Sequence, residues 1–260
     1  MLTWLGPQVN RLLRRFGMQL VRAPVVIDSR RGLLMSSRRI SAVVDVGANT
    51  GQHGDYLRRL GYDGWIYSYE PVPAAFAQLQ ARARPDPKWK VFQLAVSDQP
   101  GVVEMHVAGN SVSSSVRRMT RLHEESAPES KTVASVSVEC TTLDAILATI
   151  ADQPIMVKID TQGFEDRVFA GGQRMLRKVH LLEIEMSLFE VYAGQTLFRE
   201  MDQRVLAAGY DLVSLADGLF DPRSGELLQV DGIYSRRDAD AGSAVNSAMI
   251  TSGAGSPSTR

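Results

Sequence analysis

The sequence predicts an α/β fold: a doubly wound, mostly parallel sheet with helices on both faces. Three observations lead there. Runs of β-branched and aromatic residues alternate with helical segments from Ala42 to Ser235, and that alternation builds a parallel sheet. The first run, Ala42-Val43-Val44-Asp45-Val46, passes through the turn Gly47-Ala48-Asn49-Thr50-Gly51 into a helix, Gln52 to Leu60. The chain is 260 residues long and 44% hydrophobic, which is enough for one large core.

The later elements follow in order. Gly64 to Tyr69 reads as an aromatic-rich strand ended by Glu70-Pro71. A helix over roughly Ala74 to Arg84 stops before Pro85 and Pro87, and Val91 to Val96 reads as a third strand. Gly101 to Val107 alternates as an extra strand with an antiparallel partner. Val136 to Cys140 is strand-like, and the next helix, Leu143 to Ile150, has Thr141 or Thr142 as its N-cap. Ile155 to Asp160, Val179 to Met186, Tyr210 to Leu215 and Gln229 to Ser235 complete the strands. Helices over Phe164 to Ala170 and Gln195 to Ala208 lie between them. The polar, serine-rich stretch from Gly109 to Thr132 is too long for a plain connection and reads as a lid, a binding loop or disorder.

Both ends differ in composition from the middle. Residues 1–39 are basic, and Val9, Leu12, Leu13, Phe16, Leu20 and Val21 recur at helical spacing around Arg11, Arg14 and Arg15. Such a helix packs on the domain or docks at an anionic membrane surface. Residues 40–237 form the domain, and 238–260, dominated by Ala, Gly and Ser, read as a disordered tail. Lysine plus arginine and aspartate plus glutamate each number 29, so no net field favours nucleic acid. The single cysteine, Cys140, excludes an intrachain disulfide and a cysteine-based zinc site. No apolar run reaches the ~18 residues of a membrane span, and arginines interrupt any signal-peptide core. The expected location is the cytoplasm, with the inner face of the membrane as the sharper reading for the basic helix.

In an open α/β sheet, ligands bind beyond the carboxyl ends of the strands, near the reversal of strand order. Asp45, Gly47, Asn49, Gly51, Glu70, Ser97 and Asp98 then become candidate cofactor residues. Glycine takes positive φ or lets a ligand approach the backbone, and asparagine is the side chain that best tolerates the left-handed region. Glu70 ends the second strand, where a carboxylate can accept from both ribose hydroxyls of an adenosine-containing ligand. The G-x-N-x-G turn has neither the dinucleotide spacing nor the Lys-Ser/Thr of a phosphate loop. A nucleoside without pyrophosphate fits better, and S-adenosyl-L-methionine is the obvious one.

At these positions the sequence resembles a family. VVDVGANTG, YSYEP, LAVSDQPG, VKIDTQGFE, FEVYAGQTLF and LQVDGIYSR are similar, in order, to motifs of the FkbM-type methyltransferases. These are class I S-adenosylmethionine-dependent O-methyltransferases. The resemblance implies a Rossmann-like, seven-stranded, mostly parallel sheet with a reversed final strand. It also implies an acceptor hydroxyl on a sugar or polyketide, and the subset it looks most like is associated with actinobacterial glycolipids. Gly47, Asn49 and Gly51 would lie against the methionine part of the cofactor, Glu70 would hold the ribose, and Ala95 to Asp98 would frame the adenine. Two departures stand out: Gln162 occupies a place where the family often has an acid, and His53 one where an aromatic is common.

An alcohol acceptor must lose its proton, so a base within reach is useful. Asp160, Glu185 and His123 are the candidate catalytic residues, with Glu165 and His53 behind them. Alternation places Lys158 and Asp160 on one face of their strand, and Glu183 and Glu185 on one face of theirs. If these strands are neighbours with Lys158 opposite Glu183, the lysine would neutralise Glu183, and Asp160 and Glu185 would meet at the cleft. No tight acidic or histidine spacing points to a metal site. Two other classes remain open: a nucleoside-binding module without catalysis, and an NAD-dependent oxidoreductase, which the glycine spacing disfavours.

Overall fold

The computed structural model describes residues 27–237, together with Leu13. The amphipathic segment Val9 to Val21, read as a helix, and the tail 238–260 lie outside the described residues. The first described helix, α1 (Ile27–Ser37), precedes β1 (Ala42–Val46) and α2 (Gln52–Arg59). Next come β2 (Trp65–Tyr69), α3 (Pro73–Ala83), β3 (Trp89–Phe92), β4 (Ala95–Val96) and β5 (Gly101–Ala108). After α4 (Arg121–Ser126) and a 3-10 turn (Pro128–Ser130) come β6 (Thr132–Thr141), α5 (Leu143–Leu147), β7 (Ile155–Ile159) and α6 (Glu165–Ala170). The chain closes with β8 (Val179–Ser187), α7 (Phe198–Ala207), β9 (Tyr210–Asp217) and β10 (Gln229–Arg236).

Seven strands form one sheet in the order β3-β2-β1-β7-β8-β10-β9. Strands β3, β2, β1, β7 and β8 pair in parallel, and β10 runs antiparallel between β8 and β9. β1 and β7 are buried along their whole length, as expected of strands covered on both faces. One face of β1 (Ala42, Val44, Val46) packs with Leu143 and Ile146 of α5, Val168 and Phe169 of α6 and Met201 and Val205 of α7. The other face packs Val43, Met156 and Leu181 against Met35 of α1, Leu57 of α2 and Leu79 of α3. The α1 helix, placed by composition in the N-terminal extension, is therefore seated on the domain.

Local chemistry accounts for the helix starts. Pro73 supplies the preset φ at the start of α3. The Thr142 side chain accepts from the Ala145 N–H at 3.1 Å and caps α5. Gly51, at φ 90°, caps α2.

The structure corrects one sequence reading. Val91 to Val96 is not one strand: β3 ends in the large sheet and β4 starts a second one. That second sheet, β4-β6-β5, places β6 between a parallel β4 and an antiparallel β5. It packs Ala95, Met105, Val138 and Cys140 against Val72 and Ala75. Residues 109–131, joining β5 to β6, are folded over the carboxyl edge of the large sheet. Ser113, Ser114, Ser115, Ser126 and Ser130 are buried, and several serine hydroxyls satisfy backbone groups. Ser114 Oγ accepts from the Ala108 N–H at 3.0 Å and donates to the Ser111 carbonyl at 2.9 Å. Ser115 Oγ donates to the Gln162 carbonyl at 2.6 Å.

Gly54 lies in α2 against Trp89. A Cβ there would stand 2.1 Å from the indole ring, itself fixed by an Nε1–H bond to Ser68 Oγ at 3.0 Å. Alanine gains about 1 kcal/mol of helix propensity, but overpacking against a held ring costs about 1–3 kcal/mol. Gly54→Ala is expected to lower the urea midpoint, with a net loss of up to about 2 kcal/mol.

Candidate active site

The turn after β1 sits directly against the turn after β7. Gly47 has φ 81°, and a Cβ there would lie 1.8 Å from the Asp160 carbonyl oxygen, so no side chain fits. Asn49 is left-handed at φ 47°, and its side-chain oxygen accepts from the Thr50 N–H at 2.7 Å. Its own N–H donates to Glu70 Oε2 at 2.8 Å, while the Val72 N–H donates to Glu70 Oε1 at 2.8 Å. Glu70 is 5% exposed. Burial pushes its carboxyl up to about 7, against the two N–H groups that favour the ionised form.

Two clefts open at this edge. The first runs over Glu70 and Tyr69 between apolar walls that include Leu94, Val96, Met105 and Phe164. The second is a polar cavity of about 460 Å³ lined by Gln52, His53, Asn110, Ser113, His123, Lys158, Glu185 and Gln229, among others. Gly47, Asn49, Val112, Asp160 and Gln162 line both.

The wall between them is a hydrogen-bonded cluster. Gln162, left-handed at φ 57°, donates from Nε2 to Asp160 Oδ1 at 2.9 Å and to Glu185 Oε2 at 2.8 Å. Its Oε1 accepts from the Tyr192 hydroxyl at 2.6 Å. Glu185 also accepts from Gln229 Nε2 at 2.9 Å. Burial, then the neighbouring Asp160, Glu165 and Asp231, push the Glu185 carboxyl well above its ordinary range. Lys158 Nζ donates to Asp160 Oδ2 at 2.8 Å. Burial works against the Lys158 ammonium, but Asp160, Asp45 and Glu183 outweigh it and raise its proton affinity. Glu165 turns inward, accepting from the Thr161 N–H at 2.8 Å and the Gly163 N–H at 3.1 Å.

Residues 45–212 match the family described as Methyltransferase FkbM domain. The chain belongs to the FkbM methyltransferase family. It is an S-adenosylmethionine-dependent O-methyltransferase with a class I fold. Over 165 residues it is 27% identical to the 2-O-methyltransferase NoeI of Sinorhizobium fredii, covering 60% of this chain and 68% of that protein. Solved structures align more loosely. The METTL16 methyltransferase domain shares 10% identity at TM-score 0.45, over 90% of this chain and 80% of that one. An rRNA methylase from Streptococcus thermophilus shares 9% at TM-score 0.43, over 84% and 99%.

In this FkbM methyltransferase the sequence-predicted residues divide into groups. Gly47, Asn49, Glu70 and Asp160 reach the first cleft; Glu185 and His123 reach the second. Gly51 lines neither, and a Cβ there would meet Leu79 at 2.9 Å, so it serves packing and the helix start. Ser97 and Asp98 are also displaced from the expected position. Ser97 Oγ donates to Asp98 Oδ1 at 2.9 Å, Asp98 pairs with Arg167 at 3.0 Å, and only their neighbours Ala95 and Val96 line the cleft. His123 is 1% exposed and packs edge-on against Tyr192 at 4.9 Å, and burial lowers its imidazole to about 4. His53 is likewise driven down by burial. The register expected for β7 and β8 is present, with Lys158 opposite Glu183. The expected pairing is not: Lys158 bonds Asp160, and Arg31 of α1 binds Glu183 with Nε at 2.9 Å and Nη2 at 2.6 Å. Gln162 and Tyr192 were missed as organisers; the only sequence signal was the departure at Gln162. Among the described residues no group of three or more His, Cys, Asp or Glu is placed to hold a metal ion.

Asp45 is the clearest displacement. It is wholly enclosed, accepts from Ser68 Oγ at 3.2 Å, and its Oδ1 has no hydrogen-bond partner. Burial raises it from 3.8 to about 6, with Lys158 and Ser68 opposing. The folded state therefore holds this proton more tightly than the unfolded chain. The contribution to stability is complete below 3.8 and lost as pH rises through about 6. Asparagine does not titrate. Asp45→Asn is expected to gain stability relative to the parent between about pH 4 and pH 7, by up to roughly 3 kcal/mol. Urea midpoints at the two pH values measure it.

Proposed function

We propose that the enzyme methylates a hydroxyl of a sugar, carried in a glycolipid, and that Asp160 receives the hydroxyl proton. The supporting observation is the shared wall. An apolar-sided cleft ending on Glu70 and a polar cavity meet at Gly47, Asn49, Asp160 and Gln162. The first cleft suits S-adenosylmethionine. Glu70 keeps lone pairs for the ribose hydroxyls, Leu94 to Val96 and Phe164 offer apolar surface to adenine, and the missing Cβ at Gly47 leaves the backbone open. When bound, the cofactor supplies an electrophilic methyl group on a sulfonium.

The polar cavity suits a polyhydroxylated acceptor, since Gln52, Asn110, Ser113, Glu185 and Gln229 present donors and acceptors along its walls. Leu219 lines it too, and Val112 and the neighbouring Phe220 are 49% and 57% exposed. That apolar rim can take the chain attached to the sugar. Residues 109–131 act as the cover of this cavity, held across it by Asn49 Nδ2 donating to Ser111 Oγ at 3.3 Å. Contact of the basic segment at Arg11, Arg14 and Arg15 with an anionic membrane surface would bring enzyme and glycolipid together. Among the described residues no helix is long and apolar enough to cross a membrane.

Asp160 is held from both sides, by Lys158 on one oxygen and Gln162 on the other, so its direction is fixed before an acceptor arrives. Such alignment is worth up to ~7–11 kcal/mol of barrier, and proton removal a further ~10²–10⁴-fold in rate. Asp160→Asn is expected to lower turnover by about 10²-fold, with affinity for S-adenosylhomocysteine little changed. Transfer of labelled methyl groups to sugar and glycolipid acceptors measures it; near-parental turnover removes Asp160 as the base.

The ionised Glu70 is the better ribose acceptor. Affinity for S-adenosylhomocysteine should therefore rise with pH through about 7. Glu70→Gln should flatten that rise and weaken binding by about 1.5–3 kcal/mol, as read by calorimetry across pH.

A further inference from the structure

Two cations serve a row of acids on the α1-facing side of the sheet. The row holds Asp45 of β1, Glu183 and Glu185 of β8, Asp231 of β10 and, at the cleft, Asp160. Lys158 lies among them, directly opposite Asp45 on one side and Glu183 on the other. Glu183 is 1% exposed, whereas the Asp160 side chain is 28% exposed and can be solvated from the cleft. A buried carboxylate without a partner costs far more than one that water can reach. Left to these acids alone, the flexible lysine should go to Glu183. It goes to Asp160, while Arg31 supplies Glu183 with a neutralising charge through one N–H on each oxygen. The Arg31 guanidinium is braced over the Tyr56 ring at 5.0 Å.

We propose that Arg31 is a positioning residue for methyl transfer: by neutralising Glu183 through a bidentate ion pair, helix α1 leaves the Lys158 ammonium to Asp160. Without Arg31, Lys158 Nζ turns from its own strand towards Glu183. Asp160 then keeps only the Gln162 bond and loses its set direction at the junction of the two clefts. This rests on Asp160 acting in the reaction. Besides Lys158, the groups around Asp160 are Asp45, Glu165, Glu185 and Asp231, with His53 on the α2 wall, and none of them offers a replacement cation.

Three variants separate this role from mere stabilisation: R31M, E183Q and R31M/E183Q. In R31M, kcat should fall roughly 10-fold to 100-fold, the scale of a misplaced catalytic group. Its affinity for S-adenosylhomocysteine should stay within about threefold, as for a substitution that leaves the site intact. E183Q also breaks the ion pair but removes the competitor for Lys158, so its kcat should stay within about threefold of the parent. The double variant should recover turnover for the same reason, and it buries no unpaired carboxylate should R31M fail to fold. A crystal structure of R31M should show Lys158 Nζ bonded to Glu183. Equal loss in R31M and E183Q, or no recovery in the folded double variant, overturns the proposal and leaves the pair a structural one. Unchanged turnover in Asp160→Asn instead removes the reading of Asp160, while the position of Lys158 in the R31M crystal still decides whether Arg31 directs it.

Discussion

The contact on which the site depends is between two turns. Gly47 lies so close to the Asp160 carbonyl that a Cβ would be 1.8 Å from it, and the Asp160 N–H donates to the Val46 carbonyl at 3.0 Å. This seam joins β1 to β7, the pair from which the sheet grows in opposite directions, towards β2 and β3 on one side and β8 on the other. Each crossover leaves the strand ends uncovered there, which is where an open α/β sheet takes its ligand. Because the seam is closed by backbone atoms, the cleft floor is set by strand pairing, and side chains only decorate it. Left-handed Asn49 and Gln162 flank the contact, and their side chains define the wall between the two clefts.

A second constraint is the charge carried inside the sheet layer. Strands covered on both faces are ordinarily apolar, yet β1, β7 and β8 bury Asp45, Lys158 and Glu183. Isolated, each would cost several kcal/mol. They persist as a shared array, with two cations and a row of acids whose carboxyls at Asp45, Asp231 and Glu185 are all raised, chiefly by burial. Such an array raises the proton affinity of its buried acids, which lowers the cost of holding them inside the sheet. It also ties α1 to the cleft through side chains rather than through the chain.

Sheet class, strand positions and the glycine turn were legible in the sequence because each is a local pattern. Period-two runs, Thr142 and the Gly47–Gly51 spacing each act within a few residues. The register Lys158–Glu183 was assumed rather than read, since alternation fixes only the face each side chain takes, and the strands do pair that way. Its electrostatic consequence was not legible. Arg31 lies far from Glu183 in the chain, and no periodicity announces that a helix before β1 will lower a guanidinium onto β8. Val91 to Val96 misled for a related reason: a continuous apolar run cannot show that its two halves pair with different partners. The serine-rich stretch is a different case. Its composition left a lid, a binding loop and disorder open, and it does not show that several of its hydroxyls bond backbone groups inside the fold. Ser97, Asp98 and Gly51 stand next to the right residues in sequence, and side-chain direction, which sequence carries poorly, turns them away.

The distribution of hydrogen bonds assigns the remaining acids. Glu165 spends one oxygen on two backbone N–H groups and the Thr161 hydroxyl, so it shapes the loop that carries Gln162, and it lines neither cleft. Glu185 takes two amide donors, from Gln162 and Gln229, on the same oxygen, Oε2. Burial, then Asp160, Glu165 and Asp231, hold this carboxyl well above its ordinary range. Asp160 takes one donor on each oxygen, a lysine and an amide, and each oxygen keeps lone-pair directions towards the cleft. Gln162 can serve both acids only with its NH₂ turned to them, and the Tyr192 hydroxyl on Oε1 holds it that way. An acid at position 162 would need a proton to make even one of those bonds. The amide makes both without one, and so ties Asp160 to Glu185 across the wall between the two clefts.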